Sequence, residues 1–240
     1  MKNSYKKFAY FYDEFTSKLE YDLWVEFTEQ YLKPNDSILD LACGTGTFAT
    51  MLKLKGYNSE GLDLSEEIID IANEKRKINR LDIPFYCMDM TNFDLGKKYN
   101  VITCFFDSIN FLSSTKDINK LFDCVYKHLK DDGLFIFDIF SKELFNEYSK
   151  NEIHDDYETF KIDWITKNID SKTLKHEVTI DDFESKFTEY YYEYYYELND
   201  LINKNFKLIN MVGDFNDDYQ PGDERILLVY KKRWEILTFL

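Results

Sequence analysis

The stretch ILDLACGTGTFA, residues 38–49, admits two readings that lead to different chemistry. Its second half, Gly44-Thr45-Gly46-Thr47-Phe48-Ala49, spells G-x-G-x-x-A, the fingerprint of a turn that binds a dinucleotide. Its first half places an acid, Asp40, at the end of an apolar strand just before that turn. A strand, a glycine-rich turn and a helix put backbone N–H groups and the positive end of a helix dipole beside a ligand. Any adenosine-containing molecule can use this geometry, so the glycines alone do not choose among them.

The surrounding residues narrow the choice. Asp63 closes the next strand candidate, SEGLDLS, where a carboxylate can accept hydrogen bonds from both hydroxyls of a ribose. It supports an adenosine ligand without choosing one. Asp40 separates the readings, because a dinucleotide brings a pyrophosphate to the turn and a carboxylate there adds repulsion. A ligand that carries an ammonium and a sulfonium instead is attracted by the same charge. The structural alternative is that Asp40 caps the turn by accepting from its own loop N–H groups.

Outward from this turn the chain alternates between strand and helix. The opening segment through Leu32 reads as helical, with Trp24, Phe27 and Tyr31 at helical spacing before the break at Lys33-Pro34. After the turn, FATMLKLKGY reads as a helix closed by Gly56. The segment SEEIIDIANEKRKIN reads as a helix capped by Ser65, with Ile68, Ile71 and Ala72 on one face. IPFYCMDM and YNVITCFF are the next strands, DINKLFDCVYKHLK is a helix with Leu121, Val125 and Leu129 aligned, and DDGLFIFDIF is a turn and fifth strand. Such alternation predicts a parallel sheet covered on both faces.

Between residues 141 and 189 the alternation stops, and ETFKIDWIT and KTLKHEVTI read as antiparallel strands of an insertion lying over the sheet. Helical spacing returns in YYYELNDLINKNF, and the segments KLINMVGDF and RILLVYKKR predict a closing hairpin at the sheet edge. The expected organisation is therefore one domain, residues 1–140 and 190–240, interrupted by a β insertion, 141–189. The tyrosine-rich run EYYYEYYYE, residues 189–197, reads either as a packed strand-to-helix junction or as the aromatic wall of a pocket.

Composition limits the function classes. The 240 residues and an apolar fraction of 44% suit one core with an insertion. There is no run of eighteen apolar residues, and the opening MKNSYKKFAYFYDEF lacks the uninterrupted apolar stretch of a signal peptide. A cytoplasmic protein without membrane contact is expected. Cys43, Cys87, Cys104 and Cys124 form no C-x-x-C pair and His128, His154 and His176 are scattered, so no disulfide framework or metal site is expected. The formal charge of −15, with 45 acidic against 30 basic side chains, argues against nucleic acid as a partner and otherwise serves solubility.

The order LDLACGTG, GLDLS, CMDM, TCFFDSIN resembles the successive cofactor motifs of the class I S-adenosylmethionine-dependent methyltransferases, especially small stand-alone bacterial ones. The opening YKKFAYFYDEF…YDLWVEF and the closing ERILLVYKK are similar to that group as well, so the likeness covers nearly the whole chain. It implies an α/β, Rossmann-like doubly wound sheet of seven strands, mostly parallel with the last antiparallel, plus a small antiparallel β insertion after the fifth strand as a lid over the acceptor. It implies S-adenosylmethionine as cofactor, S-adenosylhomocysteine as product, no metal, and a monomer or homodimer. By resemblance, Asp40, Ala42, Cys43, Gly44 and Gly46 surround the methionine part, with Asp40 near the ammonium. Asp63 binds the ribose, Leu64 packs on adenine, Asp89 meets the adenine amino group and Met90 lies beside the ring. Cys104, Phe105 and Phe106 run under the sulfonium, while Tyr12 and Tyr21 close the pocket. One departure stands out: relatives often carry a histidine and an arginine on the last insertion strand, where this chain has Phe187, Glu189 and Tyr190.

Methyl transfer is an in-line displacement with a leaving group already activated, so alignment and exclusion of water are the main requirements. A base is needed only where the acceptor must lose a proton. Its candidates are Asp107 and Asn110 after the fourth strand, Asp138 at the end of the fifth, and His154 and His176 in the insertion. The leading expectation is methyl transfer to an oxygen or nitrogen of a small molecule. The alternatives are an NAD-dependent oxidoreductase, which Asp40 and the lack of a Tyr-x-x-x-Lys arrangement oppose, and a non-catalytic S-adenosylmethionine-binding module.

Overall fold

The computed structural model describes residues 5–233; the first four residues of the expected opening helical segment lie outside them. The N-terminal segment is a 3-10 turn, Lys7–Phe11, followed by α1 (Tyr12–Phe15) and α2 (Tyr21–Glu29). The alternating half then runs β1 (Ser37–Leu41), α3 (Thr47–Leu54), β2 (Asn58–Asp63), α4 (Glu66–Ile78), β3 (Phe85–Cys87), β4 (Tyr99–Cys104), α5 (Thr115–His128) and β5 (Leu129–Phe140). Local chemistry sets these boundaries. The Ser65 hydroxyl accepts from the Ile68 N–H at 3.2 Å, with Glu66 and Glu67 in the first turn of α4 and Lys75, Arg76 and Lys77 in its last. Leu129, expected on the helix, opens β5 instead, because α5 ends at His128.

After α6 (Lys142–Tyr148) come β6 (Glu152–Asp156), β7 (Lys161–Asn168), β8 (Thr173–Asp181) and β9 (Lys186–Tyr194), which pair antiparallel in that order as a separate four-stranded sheet. A 3-10 turn, Leu198–Leu201, leads back to β10 (Phe206–Gly213), β11 (Asp217–Asp218) and β12 (Arg225–Lys232). The main sheet has the order β11-β10-β12-β5-β4-β1-β2-β3. Strands β1 to β5 are parallel, and β12 is antiparallel to both β5 and β10. The fold class is the one expected, with eight strands in place of seven; the extra one is the two-residue β11.

One expectation is corrected. The segment YYYELNDLINKNF forms no α-helix. Its first residue, Tyr194, lies in a strand, closing β9, because β8 offers a partner at every position from Thr173↔Tyr194 to Asp181↔Lys186. The closing hairpin of β10 and β12 stands at the edge of the main sheet as expected, with only the two-residue β11 outside it and β12 as its inner strand. Ile226 to Tyr230 are all buried, so the strand needs cover on both faces and inserts between β5 and β10.

The second sheet buries one face against the N-terminal segment. Phe8, Phe160, Ile162, Val178, Ile180 and Tyr191 form one apolar cluster, with Tyr5, Tyr12 and Phe15 packed on it. Glu189 accepts from the backbone N–H groups of Lys6 and Lys7 at 3.3 and 2.8 Å, pinning the start of the first 3-10 turn to β9. On the far side, a buried polar cluster joins four elements. Asp138 on β5, fully buried, accepts from the Trp24 indole at 2.7 Å, from the N–H groups of Phe106 and Asp107 at 3.2 and 3.0 Å, and from Arg225 of β12 at 3.0 Å. Arg225 also grips Asp107 through two bonds of 2.6 and 3.0 Å. No described helix is long and apolar enough to cross a membrane.

Two stability measurements test this packing. Gly61 of β2 stands opposite Asp40 and Phe85, and an added Cβ would fall 2.7 Å from the Cys43 sulfur and 2.9 Å from the Phe85 ring. Gly61→Ala is expected to cost about 1–3 kcal/mol by overpacking in urea denaturation; an unchanged midpoint would show that Cys43 moves aside freely. Asp138→Ala strips four donors of their acceptor and is expected to cost about 3–5 kcal/mol, with Asp138→Asn costing less. A loss below about 1 kcal/mol would mean that the cluster adds nothing to the fold.

Candidate functional site

Strand β1 feeds a turn in which Ala42, Gly44 and Gly46 all take left-handed backbone, at φ +51°, +54° and +78°. Gly46 admits no side chain, since a Cβ would sit 2.4 Å from the Phe85 ring. This tight path brings the N-terminus of α3 to the carboxyl end of the sheet. A second clamp holds it there. Lys75 of α4 reaches Asp13 of α1 at 2.8 Å and the hydroxyls of Thr45 and Thr47 at 3.0 and 3.1 Å, while Thr45 also donates to Asp13.

Above the turn, at the carboxyl ends of β1, β2 and β4, lies a cavity of about 500 Å³. It is lined by Tyr12, Tyr21, Asp40, Ala42, Cys43 and Gly44, and by Asp63, Leu64, Asp89, Met90, Phe105 and Phe106. Gly46 and Cys104 are not on its surface. Gly46 faces Phe85, and the Cys104 thiol is buried 4.0 Å from the Met90 sulfur. The walls also include Tyr5, Phe111, Asp117 and Lys120, which sequence patterns did not single out, together with Tyr192 and Tyr194. The last two belong to the tyrosine run, for which a pocket wall was one of the two readings. Tyr5 and Phe111 carry no local signal, because folding alone brings their segments together.

The carboxylates are held by neutral donors. Asp40 is 4% exposed and accepts from the Thr103 hydroxyl at 2.8 Å across to β4, rather than from its own loop. Burial, with Asp63 nearby, pushes its pKa up to about 7. Asp63 accepts from the N–H of Gly44 at 3.1 Å and of Ser65 at 3.0 Å, and burial raises its pKa as well. Asp89 accepts from the N–H and hydroxyl of Thr91 at 2.9 and 2.7 Å. Phe106 and Asp107 take left-handed backbone at φ +58° and +59°, a conformation that the two N–H bonds to Asp138 hold in place. The Phe106 ring, so placed, packs 4.8 Å from Tyr21 and 4.4 Å from Trp24.

None of the candidate bases lines the cavity. Asp107 and Asp138 are committed to Arg225. Asn110 is buried and donates to the Tyr194 carbonyl at 2.8 Å, tying the turn after β4 to the end of β9. His154 is exposed on β6 beside Asp163. His176 is buried in the second sheet, its Nδ1 3.0 Å from the Trp164 indole nitrogen and its Nε2 2.9 Å from Glu193. Among the described residues no group of three or more His, Cys, Asp or Glu is placed to hold a metal, and all four cysteines are free.

Comparison with known proteins places this architecture. Residues 38–133 match a family model described as a methyltransferase domain. A Geobacillus sp. (strain WCH70) protein that carries a methyltransferase name is 29% identical over 95% of this chain and the whole of its own length. The crystal structure of an S-adenosylmethionine-dependent methyltransferase from Clostridium acetobutylicum ATCC 824 superposes with a TM-score of 0.82 at 29% identity, covering 95% of this chain and 98% of that one. A Streptomyces fradiae dTDP-3-amino-3,6-dideoxy-α-D-glucopyranose N,N-dimethyltransferase is 31% identical over 42% of this chain and 38% of its own. These likenesses decide between the two readings of the glycine turn, against the dinucleotide and in favour of the sulfonium: residues 38–133 are a methyltransferase domain, and the chain is an enzyme of the S-adenosylmethionine-dependent methyltransferase type, which uses S-adenosylmethionine and releases S-adenosylhomocysteine.

Proposed function

We propose that the cavity takes S-adenosylmethionine with its methionine end at the glycine turn and its ribose at Asp63, and that the methyl group passes to an oxygen or nitrogen of a small molecule. The observation that carries this reading is the pair of carboxylates, buried Asp40 and half-buried Asp63, whose hydrogen bonds come from a hydroxyl and two backbone N–H groups. A buried carboxylate without a cation beside it is costly, and a ligand ammonium near Asp40 supplies the missing charge. Asp63 keeps acceptor capacity for two hydroxyls. In the same reading Leu64, Asp89 and Met90 hold the adenine. Ala42, Cys43, Gly44 and Gly46 shape the floor, and Cys104 and Phe105 run beneath the reacting centre. Tyr12 and Tyr21 close it from the N-terminal segment.

When bound, the cofactor supplies a methyl group on a cationic sulfur. This chain's residues do the rest by position: Phe106 and Tyr21 present ring faces beside the turn, and Asp138 fixes that turn. The second sheet, residues 141–194 with α6, is the acceptor-side cover in this reading. A small-molecule acceptor is supported by the Streptomyces fradiae relative, named for methylation of an amino sugar nitrogen.

Two measurements test the proposal. S-adenosylhomocysteine at a hundred times its dissociation constant is expected to stabilise the protein by about 2.7 kcal/mol, read as a rise in melting temperature. Asp63→Ala is expected to abolish most of that rise; an undiminished shift would remove Asp63 from the site. Asp40 must be ionised to meet an ammonium, and its pKa near 7 in the free protein means that binding below pH 7 has to expel a proton. Affinity is therefore expected to fall by up to about tenfold per unit below pH 7 and to level off above it. Asp40→Asn is expected to flatten this profile, and a flat wild-type profile would place the ammonium elsewhere.

A further inference from the structure

We infer that the acceptor is an amine free of phosphate and carboxylate groups, and that the methyl group goes to its nitrogen. This rests on the reading of the cavity given above and extends it to the acceptor class. Away from the glycine turn the wall is aromatic, built by Tyr5, Phe106, Phe111, Tyr192 and Tyr194. Among the described lining residues the one cation is Lys120, and its ammonium is engaged by Asp117 at 2.7 Å. A diphosphate or carboxylate asks for Arg, Lys or a free helix N-terminus, and away from the glycine turn the described wall offers only Lys120, already paired with Asp117.

Negative charge stands behind the rings. Glu193 is buried on β9 between the wall residues Tyr192 and Tyr194. Its neighbour His176 accepts at Nδ1 from the Trp164 indole, which can only donate. Its other ring nitrogen, Nε2, lies 2.9 Å from the Glu193 carboxylate. That carboxylate is felt at the wall, where burial and then Glu193 hold the Tyr5 hydroxyl's pKa well above its ordinary value. Tyr12, also on the wall, is raised chiefly by burial.

The tyrosines report what a hydroxyl acceptor would meet there. An alcohol or phenol has to shed a proton on the way to product, and these surroundings oppose an oxyanion while none of the candidate bases lines the cavity. An amine, as its free base, already has the lone pair. That pair forms the N–C bond as the C–S bond breaks with its electrons left on sulfur. Positive charge thereby moves from sulfur to nitrogen, and a nitrogen proton then leaves to water. The ring faces of the wall stabilise that charge on arrival.

The test uses the full chain loaded with S-adenosylhomocysteine and calorimetric titration of matched probes. These are phosphate-free aromatic and aliphatic amines, free amino sugars, the alcohol and carboxylate isosteres of each, and a dTDP-linked amino sugar. At least one phosphate-free amine is expected to bind about tenfold or more tightly than its isosteres, with affinity falling as salt rises. With S-adenosylmethionine, mass spectrometry is expected to find the methyl on its nitrogen. Tighter binding or faster methylation of an alcohol, a carboxylate or the dTDP-linked sugar overturns the inference, as does failure of every amine to bind the loaded protein. Glu193→Gln is expected to weaken amine binding severalfold while S-adenosylhomocysteine binds unchanged. If that variant does not fold, the salt dependence of the wild type decides. Failure of S-adenosylhomocysteine itself to bind removes the cofactor reading, a result separate from failure of the acceptor class.

Discussion

The carboxylate of Asp138 is the fixed point of this molecule. It lies at the end of the central strand β5, fully buried, and its bonds reach the N-terminal helix α2, the turn after β4 and the inserted strand β12. A buried charge with several donors tolerates little displacement of any of them, because each lost bond leaves charge uncompensated in a medium of low dielectric. The turn that carries Phe105 and Phe106 onto the cavity wall is thus held from behind by chemistry that never touches a ligand. Asp107 and Asp138, candidate bases in the sequence, are structural for the same reason.

The second sheet depends on the N-terminal segment, and the cavity depends on both. Phe8 fills the sheet's inner face, Glu189 binds the first N–H groups of the turn that carries it, and Tyr5 meets Tyr191 edge-on at 4.7 Å. On the other side the same segment reaches the glycine turn through Asp13, Thr45 and Lys75. One stretch of about a dozen residues therefore links the sheet above the cavity to the turn beneath it. Glu189, on the last strand of the insertion, makes that attachment.

Much of the main sheet was legible because its signals are local. Strands and helices alternate with caps such as Ser65, and the approach of Gly46 to Phe85 leaves no room for a side chain. Asp40, Asp63 and Asp89 end successive strands, so a parallel sheet brings them to one rim and one cavity. What was not legible is tertiary. The tyrosine run has helical spacing in its glutamates, yet pairing with β8 made it a strand through Tyr194. The place of β12 as the inner strand of its hairpin follows from its two-sided burial, which a short apolar run does not distinguish from an edge strand covered by a helix. Tyr5 and Lys120 reached the cavity through packing between segments more than a hundred residues apart, and no periodicity records that.

The insertion of β12 between β5 and β10 also governs the order in which the protein is completed. Arg225, the counter-charge of Asp138 and Asp107, is the first residue of that strand, 87 and 118 positions beyond its partners. Contacts so distant along the chain form late, because closing the intervening loop costs entropy that local helices and hairpins never incur. A nascent chain can therefore assemble β1 to β5 and pair the second sheet while two acids at the rim still lack their cation. The turn that borders the cavity therefore lacks one of its holds, the Arg225 guanidinium, until β12 is in place.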